Sequence, residues 1–169
     1  MDSIIIGNII MFVGSIVMVL AGFAKTKQGS LIMQTVQIVI MTVGTLFLGS
    51  ITGAIMNGFS IGRNILDYNG RLDTKMKVML IISSTIIGFT FNNIGWVGIL
   101  PISVFVLYTL CMSTKDVVKF KILTIVGCVL FFINDLCIQS YTSLAFDIFT
   151  IAANIYAIVS VKNKKIVAA

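Results

Sequence analysis

The sequence predicts an all-α integral membrane protein of seven transmembrane helices, arranged as two parallel three-helix repeats joined by a linker helix. Three observations predict it. The first is composition: 58% of the 169 residues are hydrophobic and 11% charged, with a mean hydropathy of +1.08, against roughly 25% charged residues in an ordinary soluble domain. No water-soluble surface can be built from that stock, and at about 20 apolar residues per spanning helix the chain has room for seven spans and no extramembrane domain. The second is the confinement of Lys and Arg to alternate connections between apolar runs. The third is a stretch near the middle that recurs near the end.

The apolar runs place helix one at about Ser3 to Ala24 and helix two at about Ser30 to Leu48. Helix three runs from Ile51 to Leu66, and helix four from Val78 to Phe91. Helices five to seven take about Trp96 to Met112, Ile122 to Ile138 and Thr142 to Val161. Met1-Asp2-Ser3 supplies no basic n-region and no small-residue cleavage site interrupts the run that follows, so the start reads as a transmembrane helix and not a signal peptide. The longest connection, Asp67 to Lys77, carries the turn signal Asn69-Gly70.

Charge sets the expected orientation, because Lys and Arg beside helix ends are retained on the cytoplasmic side. Lys25 and Lys27 follow helix one; Arg63, Arg71, Lys75 and Lys77 surround the third connection; Lys115, Lys119 and Lys121 form the fifth; Lys162, Lys164 and Lys165 come last. All 12 basic residues therefore share one face. The other connections, Gly49-Ser50, Asn92-Asn93 and Gln139-Ser140-Tyr141, have none, and Trp96 and Tyr141 lie there as interfacial anchors. The expected protein is multi-pass in a bacterial plasma (inner) membrane, N-terminus outside and C-terminus cytoplasmic.

The recurrence has an offset of 90: residues 50–65 align without gaps on 140–155 with six of sixteen positions identical, where shared composition would give roughly one or two. Asn57/Asp147 and Ser60/Thr150 are near-isosteric replacements. Helix two falls on helix six in the same register, and helix one on helix five after a small shift that pairs Gly7 with Gly95 and Ser15 with Ser103. The whole is one transmembrane domain: repeat one at about 3–68, a linker helix at about 76–92 and repeat two at about 95–161. Three spans reverse the chain, so the leftover fourth helix lets the second unit start on the same side, making the repeats parallel.

Asn57, Ser60 and Asn64 lie at i, i+3 and i+7, along one stripe of helix three, and Asp147, Thr150 and Asn154 do the same on helix seven. Polar groups at membrane depth need partners, and an ionisable one costs about 2.5 to 3.5 kcal/mol on insertion scales, so it faces a cavity or the bundle interior. These six are the candidate substrate-binding residues, with Asp147 the candidate proton-coupling group as the acid set well inside a span. The competing reading is interhelical hydrogen bonding, preferred for Ser60 and Thr150. For Asp135, beside Asn134, solvation at the outer interface and a place in a pathway stay equally open. Gly58 and Gly62 form a GxxxG, read as a close helix contact. Arg63 reads as snorkelling towards the basic face, with binding of an anionic group as the lesser alternative. Gln34 and Gln37 fit either hydrogen bonding or pore lining. Pro101, the one proline, is a hinge candidate because it removes a backbone hydrogen bond.

Histidine and glutamate are missing, and Cys111, Cys128 and Cys137 stand alone in apolar segments, without metal-ligand spacing. No nucleophile motif, carboxylate pair in sequence or phosphate loop appears, so neither an enzyme nor a cofactor or metal site is expected. The basic residues lack the aromatic-interleaved face of a nucleic-acid binder; the expected partners are the lipid bilayer and a small polar solute. A homo-oligomer is allowed but not required, since one chain contains both units.

Three helices, one, then three in so short a chain resembles the SWEET and PQ-loop superfamily of small transporters. The phrases Asn57-Gly-Phe-Ser-Ile-Gly-Arg63-Asn64-Ile65, Phe91-Asn92-Asn93-Ile-Gly95-Trp96-Val-Gly98, Ser113-Thr114-Lys115-Asp116 and Tyr141-Thr142-Ser-Leu-Ala-Phe146-Asp147 are similar to those of the YgjV-type bacterial inner membrane protein family. The resemblance implies a SWEET-like arrangement with asparagines of helices three and seven at the substrate, here Asn57 or Asn64 and Asp147 or Asn154. The proline-glutamine dipeptide of the PQ-loop group is absent, and the counterpart of Pro101 in helix one is about Val13 or Gly14, which puts a symmetric pair of proline hinges in doubt. The function expected is a small-solute carrier, facilitative or proton-linked, with alternating access to a midplane polar site. A non-transporting membrane receptor or substrate-binding subunit is the alternative.

Overall fold

The computed structural model describes residues 3–24, 26–112 and 116–167. Lys25 and Ser113-Thr114-Lys115 lie outside the described residues, as do the side chains of Lys162, Lys164 and Lys165. Seven α-helices follow one another: α1 (Ser3–Gly22), α2 (Lys27–Phe47), α3 (Ile51–Tyr68), α4 (Thr74–Thr90), α5 (Ile99–Cys111), α6 (Val117–Cys137) and α7 (Tyr141–Val167). A 3₁₀ turn, Gly95–Gly98, leads into α5. Among the described residues there is no strand.

Helices α2, α4 and α6 begin a few residues before the apolar runs that announce them, because polar side chains cap them inside the basic connections. Thr26 Oγ1 accepts from Gly29 N–H at 3.1 Å, Asp73 Oδ1 from Met76 N–H at 2.7 Å and Asp116 Oδ1 from Val118 N–H at 2.8 Å. Each satisfies one of the free amides of a helix N-terminus. Hydropathy marks where a helix meets lipid; the cap marks where it starts.

Four helical segments, Ser3–Gly22, Lys27–Phe47, Val118–Cys137 and Tyr141–Ser160, are long and apolar enough to cross a membrane, and Gly95–Cys111 is a shorter apolar one. α3 falls short of that description because Arg63 and Asp67 lie within it. The outer surface is studded with large apolar side chains such as Ile86 and Phe149, each 60% exposed, a surface that water would not tolerate on this scale.

α1 packs on α2 and α7, α2 on α3, α3 on α5, α5 on α6 and α6 on α7, so six helices close a ring in the order α1, α2, α3, α5, α6, α7; α4 packs against α3 and α5. The tightest approach joins α1 and α2. A Cβ on Gly7 would sit 3.2 Å from Gly44 O, and one on Gly44 would sit 3.2 Å from Gly7 O, the close backbone contact that small residues permit between membrane helices. The GxxxG of α3 makes no such contact: a Cβ at Gly58 or Gly62 would meet nothing within 4 Å. That expectation is corrected, since both glycines turn away from the neighbouring helices.

The turns after α2 and α6 have one construction. Gly49 (φ 77°) and Gln139 (φ 60°) each take the left-handed conformation, and the next residue bonds back, Ser50 N–H to Thr45 O at 3.1 Å and Ser140 N–H to Asp135 O at 2.8 Å. This is the Schellman closure of a helix end, made by residues 90 apart in the sequence. An asparagine fastens each turn. Asn93 Nδ2–H donates to Gly49 O at 2.6 Å while its Oδ1 accepts from Ile51 N–H at 3.1 Å. Asn8 Nδ2–H donates to Gln139 O at 3.1 Å while its Oδ1 accepts from Thr142 N–H at 3.2 Å.

At the opposite, basic end, lysines seal helix termini. Lys121, 4% exposed, donates from Nζ to Gly22 O at 2.6 Å, and Lys27 donates to Met112 O at 2.5 Å while pairing with Asp67 at 2.7 Å. Cations there satisfy terminal carbonyls and complement the helix dipoles. Beneath them Leu31, Leu72, Met112 and Phe120 form a buried apolar plug.

Candidate functional site

The ring encloses a cavity of about 120 Å³, room for several waters or a small solute. Its walls come from α1, α2, α3, α5, α6 and α7; α4 contributes none of them. Positions 90 apart face each other across it: Gln34 and Thr124, Ile38 and Cys128, Met41 and Phe131, Thr45 and Asp135, Asn57 and Asp147, Ser60 and Thr150 all line the cavity. In each pair the first comes from α2 or α3 and the second from α6 or α7.

Five of the six candidate binding residues, Asn57, Ser60, Asp147, Thr150 and Asn154, line this one cavity. Thr150 donates from Oγ1 to Phe146 O at 2.9 Å and Asn154 from Nδ2 to Thr150 O at 2.8 Å, so both spend a donor within α7 and not on a neighbouring helix. Asp147 is 2% exposed, and its Oδ2 has no hydrogen-bond partner. Asn64 is the sixth and lies outside the walls. It is 1% exposed, its Oδ1 accepts from Arg63 Nε and Nη2 at 3.2 and 2.8 Å, and its Nδ2–H donates to Thr35 Oγ1 at 3.3 Å. Its role is to hold Arg63.

Arg63 does not snorkel. Its side chain turns inward to 3% exposure and lines the cavity, because the faces of Phe105 and Tyr108 flank the guanidinium at 5.3 and 5.4 Å, a cation–π arrangement. No carboxylate lies within ion-pair distance of it among the described residues; Asp67, one turn on, is engaged by Lys27.

Asp135 is likewise not solvated at an interface. It is 6% exposed, accepts at Oδ1 from Asn134 Nδ2–H at 3.0 Å and lines the cavity with Asn134. Asp147 is therefore not alone: a second acid lines the same cavity. Asp135 lies inside α6, two residues before its end, and its carbonyl accepts from Ser140 N–H at 2.8 Å in the turn that follows. The repeat offers the signal that finds it, because an offset of 90 sets Asp135 against Thr45, a wall residue.

Gln34 and Gln37 both line the cavity, and Gln37 Nε2 contacts Met41 Sδ at 3.2 Å. Pro101 lines it too, in the first turn of α5 just after the 3₁₀ turn, where its missing amide costs little. Tyr108, which lines the cavity, had no sequence signal beyond residue type. Among the described residues no group of three His, Cys, Asp or Glu side chains could hold a metal ion.

Comparison with known proteins adds the family. No curated protein and no solved structure matches the chain. A family model does, over residues 5–165, and the chain belongs to that family, Imp-YgjV, bacterial inner membrane protein.

Proposed function

We propose that this bacterial inner membrane protein is a small-solute carrier and not an enzyme, facilitative or proton-linked, in which two three-helix units alternate access to the cavity between them. The observation that carries this is the set of facing wall positions 90 residues apart: a solute in the cavity touches equivalent places on both units, as rocking of one unit against the other requires. The matched turns of α2 and α6, their asparagine clamps, and a ring whose order repeats after three helices support a parallel pair of units, α1–α3 and α5–α7, with α4 as connector. In this reading α3 and α4 also cross the bilayer, α3 tolerating Arg63 because it is buried against α5. The lysine-sealed end faces the cytoplasm, leaving the N-terminus outside.

The cavity's polar walls come chiefly from α2, α3, α6 and α7, and Asn57 and Asp147 occupy its matched centre. The 3₁₀ turn at the entrance to α5, followed by Pro101, is the hinge of that unit. Purified protein in liposomes tests the proposal. Solute uptake without nucleotide or added subunit is the expected result; binding without flux would make the protein a receptor or capture subunit instead, and neither binding nor flux would remove both readings.

A further inference from the structure

Three ionisable side chains on the cavity wall have no ion-pair partner among the described residues: Asp135 and Asp147 on α6 and α7, and Arg63 on α3. All three are at most 6% exposed. An arginine and a carboxyl group that share a cavity would pair if they could reach each other, since an uncompensated buried charge is expensive. They stay apart because they sit at different levels. Arg63 follows Asn57, the counterpart of Asp147, by six positions, roughly 9 Å along the helix axis at 1.5 Å per residue. The other charged groups nearby are engaged: Lys121 by Gly22 O, and Lys27 and Asp67 by each other.

On the cavity wall the buried side-chain atoms left without hydrogen-bond partners are acceptors. At the acidic end Asp147 Oδ2 and Asn134 Oδ1 are both buried acceptors without a donor, and an ammonium group is a donor with three hydrogens. At the other end the guanidinium is donor only. Asn64 takes Nε and Nη2 on one neutral oxygen and two aromatic faces flank the guanidinium, so no carboxylate is paired with it, and a carboxylate or phosphate is what a guanidinium fork matches. The wall also includes Met56 and Phe105, apolar surface suited to a short hydrocarbon body.

We infer that the solute is a zwitterion, its ammonium group held by Asp135, Asp147 and Asn134 and its carboxylate or phosphate held by Arg63. This rests on the carrier reading for the claim that the occupant is cargo, but the binding claim stands by itself. A neutral polyol would leave all three charges unanswered. A simple cation would answer one end, and a simple anion the other.

A thermal-shift panel on the purified protein tests it. The zwitterionic probes are glycine, 4-aminobutyrate, 6-aminohexanoate and phosphoethanolamine, which together vary charge separation and the anionic group; the controls are 1,4-diaminobutane, succinate, butane-1,4-diol and glucose. A ligand that binds only the folded state raises its melting temperature, and the expected result is a rise of several degrees with at least one zwitterion and none with the controls. Arg63→Gln should abolish that rise, and Asp147→Asn, which leaves Asp135 and Asn134 to the ammonium group, should reduce it. A rise with 1,4-diaminobutane equal to the best zwitterion, a rise with glucose alone, or no rise with any zwitterion overturns the inference on the wild-type protein, whatever the variants do. Liposome flux separates this from the carrier reading. A zwitterion that binds but does not cross defeats transport and leaves the site intact; glucose flux with no zwitterion binding does the reverse.

Discussion

Asn8 of α1 and Asn93, just before α5, each donate one side-chain hydrogen bond to the carbonyl of a left-handed turn residue and accept one from an amide at the start of the helix beyond it. Each thereby ties one three-helix group to the other, since Asn93 grips the α2–α3 turn and Asn8 grips the α6–α7 turn.

These clamps should be of similar weight. A net hydrogen bond contributes about 0.5–1.5 kcal/mol, so Asn8→Ala and Asn93→Ala should each cost about 1–3 kcal/mol. The two share no partner, so the double variant should lose roughly the sum. Denaturation in detergent measures all three, and a large effect at one site with none at the other would end the claim of equivalence.

Asp147 carries a different expectation. Its Oδ2 is buried without a partner and a second acid, Asp135, lines the same cavity, so Asp147→Asn removes an unpartnered buried carboxyl and should leave the melting temperature equal or higher. If Asp147 exchanges the coupling proton, uptake by the variant should lose its dependence on pH, while Asn57→Ala should weaken solute binding and keep that dependence. Flux across a pH series, compared with wild type, decides; an unaltered profile in Asp147→Asn leaves passive facilitation.

Two glycines should respond in opposite ways. Gly58 has open space around it, so Gly58→Ala should be neutral or stabilise by up to about 1 kcal/mol through helix propensity. At Gly127 an added Cβ would lie 2.5 Å from Tyr108 Cε2, and Gly127→Ala should cost about 1–3 kcal/mol as overpacking while displacing the ring that flanks Arg63. Melting temperatures of the two variants check both signs.

For orientation, single cysteines at Trp96 or Tyr141, which are 64% and 59% exposed, should react with an impermeant thiol reagent added to cells whose outer barrier has been opened. One at Lys75 should react only after the inner membrane is permeabilised. Cys111 and Cys137 are exposed and need replacing first. Labelling in the reverse order would invert the topology.

How much of this could be read from sequence depended on the kind of signal. The apolar runs located every helix, and the alignment of 50–65 on 140–155 put Asn57 and Asp147 in one cavity without any knowledge of packing. What failed were readings that needed the direction of a side chain. Arg63 lies near a helix end, where snorkelling is the usual outcome, yet two aromatic faces draw it inward, and those faces come from α5, far away in sequence. Asp135 lies within three residues of the end of α6, and only the fold of the turn shows that this end is covered. Gly58 and Gly62 have the spacing of a contact, but spacing does not say whether a partner helix stands opposite.

The position of α4 bears on how the chain can be divided. It contacts α3 and α5 but forms no part of the cavity, so its covalent continuity does not shape the solute's surroundings. Two polypeptides, one ending after α4 and the other beginning before the 3₁₀ turn, should reassemble when synthesised together in one cell. The asparagine clamps and the lysine bonds from α2 to the end of α5, and from α6 to the end of α1, already join the halves without a peptide link. Co-purification of a tagged first half with an untagged second half would measure it. Success would mean that the gene encodes, in effect, a heterodimer written as a single reading frame.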